Sequence, residues 1–130
     1  MNKAIIGTAS VIGLISIILG AFGAHAFKEV LTVEQLVSFE TGVRYQMYHA
    51  LFLLFIATTS LLSDRQKKTI FTVTLIGLLF FSGSIYLLAT QSLSGIDFKF
   101  LGPVTPIGGL FLISAWLLST IYVFRQKTDK

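Results

Sequence analysis

Side chains able to bind ligands or transfer protons concentrate in one stretch of this sequence, Glu40–His49. Gln46 and His49 are three residues apart and Tyr45 and His49 are four apart, so a helix would place all three on one face. The only other histidine in the sequence is His25. The sequence contains no cysteine. Thiolate catalysis, disulfides and cysteine-ligated metals are therefore excluded, which leaves the histidines as the only strong nitrogen ligands.

Three kinds of chemistry fit this cluster, and the residues alone leave them open. An interhelical hydrogen-bond network is favoured, because buried polar groups must be paired and membrane helices use them to associate. The cluster could instead bind a lipid head group or a small polar ligand. The third interpretation is haem or metal ligation by His25 and His49, if antiparallel packing brings the two rings together.

The usual signatures of enzymes are missing from the sequence. It contains neither GxSxG nor HExxH, and no Gly-rich phosphate loop follows a strand. We therefore predict no catalytic residue, no metal site and no cofactor. The sequence favours a non-enzymatic protein without deciding the question.

The composition requires these groups to be positioned by membrane helices. Of the 130 residues 54% are hydrophobic and 12% are charged, whereas soluble domains have about 25% charged residues. A helix needs about 20 mostly apolar residues to cross a bilayer. The sequence thus predicts an all-α integral membrane four-helix bundle, a single domain over 1–130, with transmembrane helices at about 4–24, 45–62, 69–90 and 105–124.

Basic residues predict the orientation, because they are retained on the cytoplasmic side. The unequal distribution predicts that both termini lie in the cytoplasm. It also explains the formal net charge of +4 without nucleic-acid binding, which we do not expect. One side carries Lys3, Arg65, Lys67, Lys68, Arg125, Lys127 and Lys130, and the other carries Lys28, Arg44 and Lys99.

The first outer connection, about 28–42, is too charged to cross the membrane. Thr32 followed by Gln35 is typical of a capping box, so we predict a short amphipathic helix lying at the outer interface. Glu40 and Arg44 are spaced for an ion pair if that helix continues.

Small residues recur at helical spacing in three of the predicted spans, which indicates close helix packing and allows a homo-oligomer. A proline in the first turn suits the start of the last span. The predicted packing residues are Gly13, Gly20, Gly23, Gly77, Ser82, Gly83, Ser84, Pro106, Gly108 and Gly109.

Four blocks of sequence, taken in order, resemble the YgdD-like family of small multi-pass membrane proteins, which is similar to a small eukaryotic transmembrane protein. The resemblance implies a location in the bacterial cell membrane. It also implies that the first span is retained, although Ala24-His25-Ala26 imitates a signal-peptidase site. The family's polar positions fall on His25, Tyr45, Gln46 and His49, but the resemblance supplies no activity. The blocks are GAFGAHAF (20–27), YQMYHAL (45–51), FFSGSIY (80–86) and TPIGG (105–109), followed by Trp116.

From these observations we expect a non-enzymatic multi-pass membrane protein that binds a membrane protein partner or a specific lipid. The alternative is a small haem- or metal-bearing redox or ligand-transport protein that uses the two histidines. In either case the candidate site near the outer leaflet consists of His25, Glu40, Arg44, Tyr45, Gln46 and His49.

Overall fold

The computed structural model describes residues 2–126, and throughout that range every regular element is helical. Lys127 and Lys130, which the orientation prediction uses, lie outside the described residues. Short helical turns at Gln91–Ser94 and Lys99–Leu101 occupy the last connection. The four long helices are α1 (Asn2–Ala24), α2 (Val33–Thr58), α3 (Asp64–Ala89) and α4 (Val104–Arg125).

Three helical stretches are long and apolar enough to cross a membrane, namely α1, α3 and the segment Lys99–Arg125 that contains α4. α2 is 26 residues long, but Arg44, Gln46 and His49 make its N-terminal half more polar than the other long helices. The polar cluster thus lies on the least apolar of the long helices.

The predicted interfacial helix over 28–42 is not a separate element. The Thr32 side chain accepts a hydrogen bond from the Gln35 amide while the Gln35 side chain accepts one from Thr32, so the predicted capping box is confirmed. α2 starts after this cap and continues without a break to Thr58, because no proline interrupts it. The outer segment and the second predicted span therefore form one helix.

One apolar core joins all four long helices. Ile5 of α1, Ile56 of α2, Ile70 of α3 and Ala115 of α4 are each completely buried in it. Large apolar side chains also cover the outside of every long helix, which is typical of surfaces that face lipid. Examples are Leu14, Phe55, Leu79 and Ile113, each at least 60% exposed.

α3 and α4 approach most closely where α3 contains a π-helical turn, Leu79–Gly83. A Cβ atom on Gly108 would lie 2.6 Å from the carbonyl carbon of Phe80 and would overlap the amide nitrogen of Phe81. Only glycine permits this backbone contact. At the adjacent Gly109 a Cβ would stand 3.7 Å from the Phe81 ring, an ordinary contact distance.

Most of the other predicted packing residues lie between helices, but Gly83 and Pro106 do not. Gly13, Gly20 and Gly23 face side chains of α2, and Gly77 faces Leu112 of α4. Ser82 and Ser84 are buried and hydrogen-bonded, Gly83 faces Leu79 of its own helix, and Pro106 is exposed in the first turn of α4.

Candidate functional site

His49 lies at the centre of the polar cluster and is buried, with 3% of its surface exposed. The indole nitrogen Nε1 of Trp116 donates a hydrogen bond to His49 Nε2 over 3.0 Å. Because an indole N–H only donates, Nε2 must accept, and the ring proton is on Nδ1. Nδ1 then donates to the Tyr45 carbonyl over 2.7 Å. Both ring nitrogens are therefore engaged within the protein.

Trp116 was not among the predicted site residues. It is 67 positions from His49 along the chain, and the sequence analysis had assigned it no partner. Its ring centroid is 4.3 Å from that of Phe52 and 6.0 Å from that of His49. A lone tryptophan within an apolar helix was the available signal, because a buried indole N–H requires an acceptor.

Gln46 connects three helices. Its Nε2 donates to the Ile12 carbonyl of α1 over 3.0 Å, and its Oε1 accepts from the Tyr86 hydroxyl of α3 over 2.5 Å. One turn away, Ser82 of the π-helical turn donates to the Gly42 carbonyl of α2 over 2.8 Å. These bonds tie the N-terminal half of α2 to both α1 and α3.

His25 does not join this cluster. It lies in the turn after α1, is exposed, and borders an apolar surface formed by Ile17, Ile18 and Phe22. The structure gives it no contact with His49, whose ring faces Trp116 instead. The antiparallel packing of α1 and α2 therefore does not bring the two histidines together, and paired ligation of haem or a metal ion has no geometric support here. Within residues 2–126, no three potential ligands of the His, Cys, Asp and Glu types cluster for a metal ion.

The predicted ion pair between Glu40 and Arg44 is not formed. Arg44 is exposed and its Nη2 donates to the Thr41 hydroxyl over 3.3 Å. Thr41 in turn donates to the Val37 carbonyl. Because successive helical residues are rotated by about 100°, this contact draws the guanidinium away from Glu40 and towards the side of α2 that carries Tyr45 and Tyr48.

An open groove runs along the outside of the cluster between α2 and α4. Its volume is about 600 Å³, within the range of about 300–1,000 Å³ that is usual for small-molecule sites. Trp116 and Tyr48 are each about half exposed, at 50% and 51%. We call this surface the aromatic groove and define it by Tyr45, Tyr48, His49, Leu51, Phe52 and Trp116.

A second polar contact lies at the opposite end of the helices and was also missed. Lys67 is only 4% exposed, and its Nζ donates to the Ala57 carbonyl over 3.0 Å and to Asn2 Oδ1 over 3.3 Å. The sequence analysis had counted Lys67 only among the basic residues that predict the orientation. The position of Lys67 near the negative end of the α2 dipole explains how a buried ammonium group is accommodated.

Every buried side-chain nitrogen or oxygen in the described part of the chain has a hydrogen-bond partner. Such complete pairing is expected of a network that holds helices together.

Helices of membrane-crossing length, an apolar exterior and internally paired polar groups together define an all-helical membrane protein. The chain belongs to the family described as "Protein of unknown function (DUF423)", which matches residues 19–109. The resemblance to YgdD-like proteins inferred from the sequence motifs is thereby confirmed.

Relatives from several bacteria cover almost the whole chain. UPF0382 membrane protein SH2409 of Staphylococcus haemolyticus is 37% identical over 86% of this chain and 88% of its own. UPF0382 membrane protein YwdK of Bacillus subtilis is 33% identical over 92% and 94%. UPF0382 inner membrane protein YgdD of Escherichia coli is 32% identical over 92% and 88%. No solved structure matches this chain.

Proposed function

We propose that this chain is a non-enzymatic membrane protein that holds one membrane lipid in the aromatic groove. The observation that carries the proposal is the hydrogen bond between Trp116 and His49. It fixes the indole ring as a wall of the groove, half exposed to the surroundings. Binding against a rigid wall loses less conformational entropy than binding against a flexible surface, which would have to be ordered.

The lining of the groove favours an amphipathic ligand. Leu51, Phe52 and Trp116 offer apolar surface to a hydrocarbon chain. The hydroxyls of Tyr45 and Tyr48 make no hydrogen bond within residues 2–126, so they can bond to an ester or head-group oxygen. Tyrosine and tryptophan favour the level where hydrocarbon meets head groups.

In this proposal α2 crosses the bilayer as the fourth span, and both termini lie in the cytoplasm. The basic residues near Arg65 and Arg125 support this orientation. Because the chain contains no cysteine, introduced cysteines test it directly. Ser94→Cys, in the last outer connection, should react in intact cells with a maleimide that does not cross membranes, whereas Ser60→Cys should react only after lysis. The opposite labelling pattern would reverse the proposed orientation.

Native mass spectrometry of protein released in a mild detergent tests lipid binding. We expect a full-length chain that retains one lipid, identified by its added mass. Tyr48→Ala should reduce the retained fraction severalfold. Phe22→Ala is the matched control, because Phe22 is an aromatic residue on α1 with the same exposure of 51%.

Either of two results would refute the proposal. If the wild-type chain carries no lipid adduct, the proposed lipid binding is refuted, and a protein partner becomes the alternative to test. An adduct that Tyr48→Ala and Phe22→Ala affect equally would show that the lipid binds outside the aromatic groove. A haem or metal adduct would restore the cofactor alternative.

A further inference from the structure

We infer that the lipid held in the aromatic groove is an anionic phospholipid of the outer leaflet, with its phosphate bound by Arg44. This inference rests on the proposed function, since it names the head group for the same groove. It depends on where Arg44 lies along α2 and on the direction in which its guanidinium is drawn.

Arg44 stands at the outer end of the groove at the correct height for a head group. It precedes Tyr48 by four residues and Leu51 by seven, which along a helix corresponds to about 6 Å and about 10 Å. A phosphate at Arg44 would therefore continue into hydrocarbon beside Leu51, with the Tyr48 hydroxyl at the level between them. All three side chains are exposed on one face of α2.

The guanidinium is available and turned towards the groove. Thr41 is its hydrogen-bond acceptor within the described residues, through Nη2 over 3.3 Å. Arginine has five N–H donors in a planar fork that matches the oxygens of a phosphate. Thr41 is rotated by about 60° around α2 from Arg44, on the same side as Tyr45, whereas Glu40 is rotated by about 40° the other way.

Charge complementarity selects the class of lipid. α3 between Thr69 and Ala89 and α4 before Arg125 contain no charged side chain, so the charges nearest the membrane-level part of the groove are those of Arg44 and Glu40 on α2. The Glu40 carboxylate lies one turn before Arg44, about 6 Å along the helix. The guanidinium is drawn to the other side, towards Thr41, so the cation and not the carboxylate borders the groove.

The single tryptophan of the chain supplies the measurement. Bromine atoms on lipid acyl chains quench tryptophan fluorescence on contact, so emission from Trp116 reports which lipid occupies the groove. The protein is reconstituted into vesicles of phosphatidylglycerol and phosphatidylcholine, with the bromine on one lipid and then on the other. We expect quenching to reveal about fivefold preference for phosphatidylglycerol, the factor that corresponds to about 1 kcal/mol for one basic side chain at an anionic lipid.

Two charge-removing variants locate the origin of that preference. Arg44→Gln should lower the preference ratio for phosphatidylglycerol to about one. Lys28→Gln removes an exposed cation elsewhere on the outer side and should leave that ratio unchanged. Far-ultraviolet circular dichroism confirms that each variant retains its helices. Equal loss in both variants would assign the preference to general surface charge and overturn the role of Arg44.

The outcomes also separate this inference from the proposed function. Equal quenching by both brominated lipids in the wild type, together with a lipid adduct that Tyr48→Ala abolishes, would leave lipid binding in place and refute the anionic head group. Absence of the adduct together with equal quenching would refute both.

Discussion

The hydrogen bond between His49 and Trp116 should be measurable as a coupling free energy. Replacing His49 by Leu removes the acceptor, and replacing Trp116 by Phe removes the donor while retaining a ring against Phe52. The double variant removes both. If the bond holds α2 to α4, the sum of the losses of unfolding free energy in the two single variants will exceed the loss in the double variant.

The expected magnitude follows from the surroundings of the bond. His49 is 3% exposed and Trp116 is 50% exposed, and in the proposed orientation the exposed half faces lipid. His49→Leu leaves an indole N–H without an acceptor, which costs about 1–3 kcal/mol. Hydrogen bonds between membrane helices have an average coupling of about 0.6 kcal/mol and a maximum of about 1.7 kcal/mol. With a donor-to-acceptor distance of 3.0 Å, we expect a value in this range.

Unfolding is followed by far-ultraviolet circular dichroism while sodium dodecyl sulfate is titrated into mixed micelles. Tryptophan emission is unsuitable because Trp116 is the chain's single tryptophan. As a control, His49→Leu is combined with Phe124→Leu. Phe124 is 84% exposed and lies about 12 Å along α4 from Trp116, so those two effects should add within about 0.5 kcal/mol. Equal coupling in both cycles, or none in the first, would refute the assigned role of the bond.

Two further pairs of variants use neighbouring residues as controls in the same unfolding assay. Gly108→Ala should lower the free energy of unfolding by about 1–3 kcal/mol, because the added Cβ would overlap the α3 backbone. Gly109→Ala should leave it unchanged or raise it by up to about 1 kcal/mol through helix propensity. Equal effects of the two substitutions would argue against the close contact. Lys67→Ala should lose about 1.5–3 kcal/mol because it removes buried hydrogen bonds from a charged donor, whereas Lys68→Ala, at an exposed position, should change stability by less than about 0.5 kcal/mol. A similar loss in both lysine variants would assign the effect to general charge.

The local features of the fold could be predicted from the sequence because they depend on residues close together in the chain. The capping box at Thr32 and Gln35 is formed by residues three positions apart. The spacing of Tyr45, Gln46 and His49 predicted one shared face of α2; Gln46 and His49 are buried, whereas Tyr45 is exposed. Motifs distributed along the chain were sufficient to identify the family.

Contacts between distant residues could not be predicted, because periodicity defines a face of a helix but not the neighbour that covers it. Gln46 contacts Ile12, 34 positions earlier, and His49 contacts Trp116, 67 positions later. The expectation that His25 would approach His49 assumed that similar depth implies proximity. Depth leaves the rotation of each helix undetermined, and the turn after α1 directs His25 outwards.

These pairings change which groups can face a ligand. A neutral imidazole has one donor and one acceptor, and His49 uses both within the protein. Coordination or proton transfer at Nε2 would require Trp116 to leave, which would also remove one wall of the aromatic groove. The groups left available at that surface are the hydroxyls of Tyr45 and Tyr48 and the guanidinium of Arg44. The sequence directed attention to the histidine, but His49 supports the groove, and under the proposed function it is the neighbours of His49 that would recognise the lipid.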